Sequence, residues 1–250
     1  MQDVLGAPLL YGFGLVLFRS AGLIAAVPVL GAGTIPVTVR MALALVAAAA
    51  AFAGAGMPAV ALPDHLVAIA GAAIAETVVG LAAGLAARLV LEAAQAAGQV
   101  AGLSVGLGYG ALVDPVGGAS TTALGQLFAM GALAFAVALG LHREAFAWLT
   151  RSAIAFPPGS SIDVRSLAGA VVVHGLAGTA LAVRLAFPIL AAVTCGHLAL
   201  GLLGRIAPQL NLASIGFSIA IFAGGAALYL VLPAAADAAA RAALVAIRSG

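Results

Sequence analysis

Six long apolar runs, interrupted by glycine and proline rather than by charged residues, make up most of this chain. They cover residues 9–30, 40–62, 66–91, 122–141, 167–203 and 212–232. A transmembrane helix needs about 20 apolar residues, so runs of this length are typical of membrane crossings. Hydrophobic residues make up 64% of the 250 residues and charged residues 7%, whereas a soluble domain carries about 25% charged residues. We therefore predict an all-α, polytopic membrane protein.

The run at 167–203 is nearly twice as long as one bilayer crossing requires, and it contains Pro188. We expect a broken or bent helix, or a tight hairpin, in this stretch. Near the C-terminus, Asp237, Arg241 and Arg248 recur at helical spacing among apolar residues, which predicts an amphipathic last helix. The arginines are scattered singly along the sequence, so no basic patch indicates nucleic acid binding.

One helix is predicted to pack closely against a neighbour. Gly98, Gly102, Gly106 and Gly110 recur at intervals of four residues, which places them along one helix face. Small residues at this spacing allow a second backbone to approach closely. The glycine stripe therefore predicts a helix-packing surface.

Five charged side chains lie inside or next to the apolar runs. They are Arg19, Glu76, Arg88, Glu92 and Arg184. Each would cost about 2.5–3.5 kcal/mol at the centre of a bilayer, so each requires a partner, water or a position away from lipid. Arg88 and Glu92 are one helical turn apart, which favours a local ion pair. Glu76 and Arg184 have no oppositely charged neighbour in sequence. We expect them to be buried against each other or in contact with a neighbouring subunit; an ion-relay role is the alternative.

No pattern indicates catalysis, a cofactor or a metal. Cys195 is alone, and no two of the four histidines are at ligand spacing. The stretch 106–111 loosely fits a nucleotide-binding glycine pattern, but no strand precedes it and no suitably spaced acidic residue follows. No serine or cysteine nucleophile has the supporting motif of a hydrolase.

The segment 106–120 is glycine-rich and apolar, and it lies between two long helical runs. Non-helical backbone at membrane depth is tolerated only inside protein or where it lines a cavity. We interpret the segment as a pore-lining or plugging loop. The alternative is an ordinary connection between helices, although such connections more often carry polar residues.

Particular stretches resemble a known family. They are Phe18-Arg19 through Pro36-Val37-Thr38-Val39-Arg40, the turn ending Val113-Asp114-Pro115, the Ala-Phe-Pro-Pro-Gly turn at 155–159, and above all 184–188 followed by 201–211. In the same order and over nearly the whole chain, they resemble the FliR family of flagellar export-gate proteins, which is similar to the SctT proteins of virulence type III secretion. The matching motif residues are Pro188, Arg205, Pro208, Gln209 and Asn211.

The resemblance implies a non-enzymatic subunit of the flagellar type III export gate, located in the bacterial inner membrane within the flagellar basal body. It implies FliP, FliQ, FlhB and FlhA homologues as partners, together with translocating unfolded export substrates and membrane lipid. It also implies a FliP-like part over 1–165 fused to a FliQ-like helical hairpin and amphipathic C-terminal helix over 166–250, assembled into a helical gate.

The family's plug loop corresponds to 106–120 in this sequence. The resemblance implies that the plug is formed by Leu107, Tyr109, Leu112, Val113, Asp114 and Pro115. Family members commonly present two aromatic residues to the closed channel, and the matching positions here are Tyr109 and Leu112. The alternative function is a stand-alone secondary transporter that couples through Glu76, Arg88 or Arg184. Such a transporter should show two related halves, and the sequence shows no convincing internal repeat.

Overall fold

A computed structural model describes residues 2–28, 30–31, 35–106, 122–161, 163–206 and 212–249. These residues form seven α-helices and contain no β-strand, which confirms the predicted all-α class. The helices are α1 (Gln2–Ala26), α2 (Val37–Gly54), α3 (Leu66–Val105), α4 (Ala123–Ala138), α5 (Leu141–Ala155), α6 (Val164–Ile206) and α7 (Leu212–Ser249).

Five helical segments of the described chain are long and apolar enough to cross a membrane. α4 and α5 together are also long and apolar enough to cross a membrane, although they are bent by 59° at a short break. If the pair forms one broken span, the described chain has six candidate crossings. The break contains Gly140, which has a φ of 84°. The five segments are Gly6–Ala26, Val37–Gly54, Leu66–Val105, Val164–Ile206 and Gly224–Arg248.

The α6 helix corrects one prediction from sequence. It is a single helix of 43 residues that continues through Pro188, so the expected break or hairpin within 167–203 is wrong. An interior proline removes one backbone hydrogen bond, but the long apolar sequence on both sides retains the rest of the helix. At 1.5 Å per residue, the helix is about 65 Å long, roughly twice the 30 Å hydrocarbon thickness of a bilayer.

The described helices contribute to two compact units that alternate along the chain. The first comprises Met1–Leu89, Val137–Gly175 and Ala242–Gly250, and the second comprises Val90–Ala136 and Leu176–Arg241. The predicted boundary near residue 165 concerns similarity to FliP and FliQ rather than packing, and it stays a prediction.

In the first unit, glycines bring the backbones of α1 and α3 together. A Cβ atom on Gly22 would collide with the carbonyl oxygen of Thr77, and one on Gly80 would collide with the carbonyl oxygen of Arg19. Gly84 continues the same face of α3 and also meets the α1 backbone. This close approach places the Arg19 side chain in the interior of the unit, where it is 1% exposed.

In the second unit, two residues of the predicted glycine stripe, Gly98 and Gly102, lie against α4. Gly106 follows the last residue of α3 and has a φ of 90°, so it is not part of that helix face. A Cβ atom on Gly98 would lie 2.7 Å from the carbonyl oxygen of Leu124. One on Gly102 would lie 2.7 Å from Oγ1 of Thr122. Both positions therefore require the hydrogen of glycine for this helix contact.

Candidate functional site

A buried ion pair joins α1 to α3 in the first unit. The Arg19 Nε atom donates a hydrogen bond to Oε2 of Glu76 at 2.6 Å, and both side chains are 1% exposed. Charged side chains are almost never fully buried unless they are paired. Pairing therefore explains how two apolar helices accommodate opposite charges in their interior.

The remaining polar atoms of this pair also have partners. The two terminal nitrogens of Arg19 donate to Oγ of Ser152 at 3.3 Å and to the carbonyl oxygen of Phe156 at 3.1 Å. The backbone N–H of Gly159 donates to Oε1 of Glu76 at 2.8 Å. A buried ion pair is tolerated when further hydrogen bonds satisfy its donors and acceptors. We refer to these five residues as the Arg19 cluster.

The Arg19 cluster includes the turn that connects α5 to α6. The backbone N–H of Phe156 donates to the carbonyl oxygen of Ser152 at 2.9 Å and caps α5, and two prolines follow. Gly159 has a φ of 79°, a left-handed conformation that side chains disfavour. This conformation directs its N–H to Glu76, so α1, α3, α5 and the turn before α6 share one set of polar contacts.

The structure corrects the expected partner of Glu76. We considered Arg184 and a neighbouring subunit, whereas the partner is Arg19. Of the four side chains predicted as buried charges or subunit contacts, only Glu76 is buried; Arg88, Glu92 and Arg184 are exposed. A role for these three in contacts with other subunits stays a prediction.

The described residues on either side of the predicted plug segment include a close contact in the second unit, between Gly102 of α3 and Thr122. Gly106 follows the last residue of α3, and Thr122 precedes α4. The hydroxyl oxygen of Thr122 accepts a hydrogen bond from the N–H of Gly125 at 3.0 Å, which caps α4, and the same oxygen faces Gly102. The predicted plug residues Leu107, Tyr109, Leu112, Val113, Asp114 and Pro115, as well as Gly110, lie outside the described residues.

The family-motif residues are described only in part. Pro188 lies within α6, and Arg205 lies in the last turn of that helix. A cation at this position complements the partial negative charge of a helix C-terminus. Pro208, Gln209 and Asn211 fall in a stretch that the structure does not describe.

A second set of charges lies at the surface. Glu144 of α5 accepts hydrogen bonds from Arg151 at 2.9 Å and from Arg248 at 3.2 Å, which connects the last turn of α7 to α5. On α7, Arg241 pairs with Asp237 one turn earlier at 2.7 Å. The amphipathic character of this helix stays a prediction. No group of three or more metal-ligating side chains is present in the part of the chain that the structure describes.

The described helices, with five segments long and apolar enough to cross a membrane, define an all-α membrane protein. Comparison with known proteins specifies the family: the sequence pattern described as Bacterial export proteins, family 1, matches residues 10–244. The chain belongs to this family of bacterial export proteins. It is similar to the flagellar biosynthetic protein FliR of Caulobacter vibrioides, with 26% identity over 222 residues that cover 89% of this chain and 88% of the relative.

These matches confirm the resemblance to the FliR family that the sequence motifs indicated. Together with the apolar helices, they identify a component of the flagellar export apparatus in the bacterial inner membrane.

Proposed function

We propose that this protein is a non-enzymatic subunit of the flagellar type III export gate. In this role, it completes a protein-conducting channel for unfolded export substrates and plugs that channel at rest. The observation that carries the proposal is the family match over 10–244, because it includes the plug segment, the Arg19 cluster and the motif around 184–211.

The residues on either side of 106–120 support the plugging role. Gly98 and Gly102 hold the end of α3 against the start of α4, so the segment connects two helix ends that lie next to each other. Residues 107–121 can extend about 25 Å from this base if half of them lead out and half lead back at about 3.3 Å each. That reach exceeds the diameter of a helix with its side chains, about 10–12 Å. A loop of this length could therefore cover an opening that a polypeptide passes through.

The composition of the segment supports a removable seal. Leucine and valine side chains exclude water and ions because solvation of an ion inside an apolar constriction is unfavourable. The glycines lower the resistance of the backbone to a change of conformation. An incoming unfolded chain would displace the loop while the contacts of α3 with α4 remain, and the energy for export would come from other components.

The exposed apolar side chains support a place among other subunits and lipid. Examples are Met41 and Val46 on α2, each 67% exposed, and Leu198 and Ile206 on α6, 64% and 81% exposed. Large exposed apolar surfaces mark protein or membrane contacts. We assign them to homologues of FliP, FliQ, FlhB and FlhA and to membrane lipid.

The proposed division of the chain has a FliP-like part at 1–165 and a FliQ-like part at 166–250. The second part contains the long helices α6 and α7, which are separated by only five residues, 207–211. Short connections favour antiparallel neighbouring helices, as in a helical hairpin. The short connection therefore supports the FliQ-like assignment.

The contacts of Glu76 disfavour the stand-alone transporter. Each of its carboxylate oxygens accepts a hydrogen bond from the protein, one from Arg19 and one from Gly159. A coupling carboxylate must instead exchange its ion or proton with solvent during transport. We therefore assign Glu76 to the architecture of the first unit rather than to coupling.

Deletion of residues 108–117 tests the proposed plug. In cells that assemble the complete gate, we expect the deletion to produce an ion leak that is measured as membrane depolarisation or as single-channel conductance. The substitution Tyr109→Phe, which retains the aromatic ring, is the matched control and should leave the membrane sealed. Unchanged conductance in a deletion variant that still co-purifies with FliP and FliQ homologues would reject the plug. Failure of the unmodified chain to co-purify with those homologues would reject gate membership itself.

A further inference from the structure

A cavity of about 350 Å³ lies in the first unit between α3 and the first turns of α6. The α3 wall is formed by Val79, Ala82, Ala83 and Ala86, which share one helix face. The α6 wall is formed by Leu167, Ala170, Val171 and His174, again at helical spacing. Trp148 of α5 and the Arg19 cluster complete the lining, through Arg19 and Phe156. The alanines leave space between two helices that longer side chains would fill.

The polarity of the lining changes along the cavity. Ser161, Asp163 and Ser166 line it at the start of α6, and the α6 residues that follow are apolar as far as His174. The distance along α6 from Asp163 to His174 is about 16 Å at 1.5 Å per residue. One leaflet contributes about 15 Å of the 30 Å hydrocarbon core of a bilayer. The part of α6 that lines the cavity thus has about the length of one lipid leaflet, and the polar lining residues lie at the N-terminal end of the helix.

The surroundings of the cavity identify its occupant by chemistry. Both helical walls belong to segments that can cross a membrane, Leu66–Val105 and Val164–Ile206. On α6, Val164, Val172 and Val173 are 64%, 59% and 62% exposed, so apolar surface continues next to the α6 wall. Water is stable in a cavity only with two to four polar partners, which the apolar part of this lining does not offer. Helices that cross a membrane are surrounded by the acyl chains of lipids, so an acyl chain is the apolar group available to fill this cavity.

The charge of the Arg19 cluster agrees with an apolar occupant. Arg19 lines the cavity, but its guanidinium is paired with Glu76 and bonded to Ser152 and Phe156. The paired guanidinium therefore requires no anionic ligand. We propose that the cavity binds one acyl chain of a membrane phospholipid, with the headgroup at Ser161, Asp163 and Ser166. The volume equals that of about a dozen water molecules at about 30 Å³ each, and a methylene group is of similar size.

Trp148 provides a direct readout. It is the only tryptophan in the chain, it lines the cavity, and it is 5% exposed. Phospholipids with brominated acyl chains quench tryptophan fluorescence on contact. In vesicles of phosphatidylethanolamine and phosphatidylglycerol, part of which carry brominated chains, we expect the full-length protein to show strong quenching of Trp148 despite its burial.

Two phenylalanine substitutions on α6 separate the cavity from general lipid contact. Ala170→Phe fills the cavity and should abolish most of the quenching. Ala168 is exposed like Ala170 but does not line the cavity, so Ala168→Phe makes the same change outside the cavity and should retain the quenching. Ala82→Leu on the opposite wall is the second filling variant if Ala170→Phe does not fold. Circular dichroism establishes which variants are folded.

Three results would overturn the proposal. They are absence of quenching in the unmodified protein, equal quenching in folded Ala170→Phe and Ala168→Phe variants, and loss of a bound phospholipid once the partner homologues have assembled around the chain. The last result would assign the cavity to protein side chains. Native mass spectrometry of the assembled complex measures it, and we expect one retained phospholipid that Ala170→Phe removes.

Discussion

The buried ion pair of Arg19 and Glu76 gives the sharpest test of how this chain holds its first unit together. The substitution Glu76→Gln removes the negative charge but retains the length and shape of the side chain. Its amide oxygen can still accept from the N–H of Gly159, which contacts Oε1 at 2.8 Å. The guanidinium of Arg19 then faces an amide at 2.6 Å instead of a carboxylate, and remains buried without a counter-charge.

The expected loss of stability follows from the burial of both Arg19 and Glu76. Removing one partner of a buried pair typically destabilises a protein by about 3–5 kcal/mol. We expect about 3 kcal/mol for Glu76→Gln, because the contact with Gly159 is retained, and about 5 kcal/mol for Glu76→Ala, which loses both contacts and leaves a cavity. Total stabilities are about 5–15 kcal/mol, so either change is a large fraction. The double variant Arg19→Met with Glu76→Leu removes both charges, and we expect it to be more stable than either single Glu76 variant.

The measurement is the free energy of unfolding in detergent, followed through the fluorescence of Trp148. The control is Glu144→Gln, because Glu144 pairs with Arg151 and Arg248, whose side chains are 52% and 63% exposed. Exposed pairs contribute about 0–1 kcal/mol. The reasoning is refuted if Glu76→Gln is no more destabilising than Glu144→Gln, or if the double variant is less stable than Glu76→Ala.

Three further predictions concern the same helices. Gly98→Ala should lower the unfolding midpoint and weaken the contact of α3 with α4, because the new Cβ atom would lie 2.7 Å from a carbonyl oxygen. The control is Gly71→Ala on the same helix, where a Cβ atom would meet no other part of the chain within 4 Å, and it should stabilise the protein by about 0.5–1 kcal/mol. Gly159→Ala should destabilise by at least about 1–2 kcal/mol because its φ is 79°, and a smaller effect in denaturant titrations would contradict the strain argument. Arg248→Ala should change stability by less than about 1 kcal/mol, with an effect that disappears at high salt; a salt-independent loss would indicate a contact other than the ion pair with Glu144.

The sequence pattern predicted most helices because a long apolar run can satisfy its backbone only as a helix in a membrane. It missed α5, whose residues His142, Arg143, Glu144 and Arg151 interrupt the apolar pattern. The apolar run ended near residue 91, because Glu92 and the glutamines that follow lower the apolar content, whereas the spacing of Gly98 to Gly110 predicted helix beyond this point. In the structure, the helix continues to Val105, since its alanines and glycines pack against α4. Packing by small residues is a weak signal in hydropathy, so the glycine spacing, and not the apolar run, indicated the second half of α3.

The charges were found from sequence, but their pairing was not. Arg19 and Glu76 are separated by 57 positions, and only the approach of α1 to α3 makes them partners. The available signal was the coincidence of Gly22, about one turn after Arg19, with Gly80 and Gly84, which lie about one and two turns after Glu76. A sequence offers many such glycine pairs, so spacing alone could not select this one.

The ion pair between Arg19 and Glu76 bears on how this chain assembles with other proteins. Arg19 and Glu76 satisfy each other inside the first unit, so that unit does not require another subunit to compensate a buried charge. The exposed surface of this unit on α2 and on the start of α6 instead carries apolar side chains such as Met41 and Val173, which are 67% and 62% exposed. Apolar contacts are not directional, whereas an unpaired buried charge would demand one particular partner atom. The first unit therefore needs no counter-charge from another component, and its contacts with lipid and with other proteins depend on shape and apolar area.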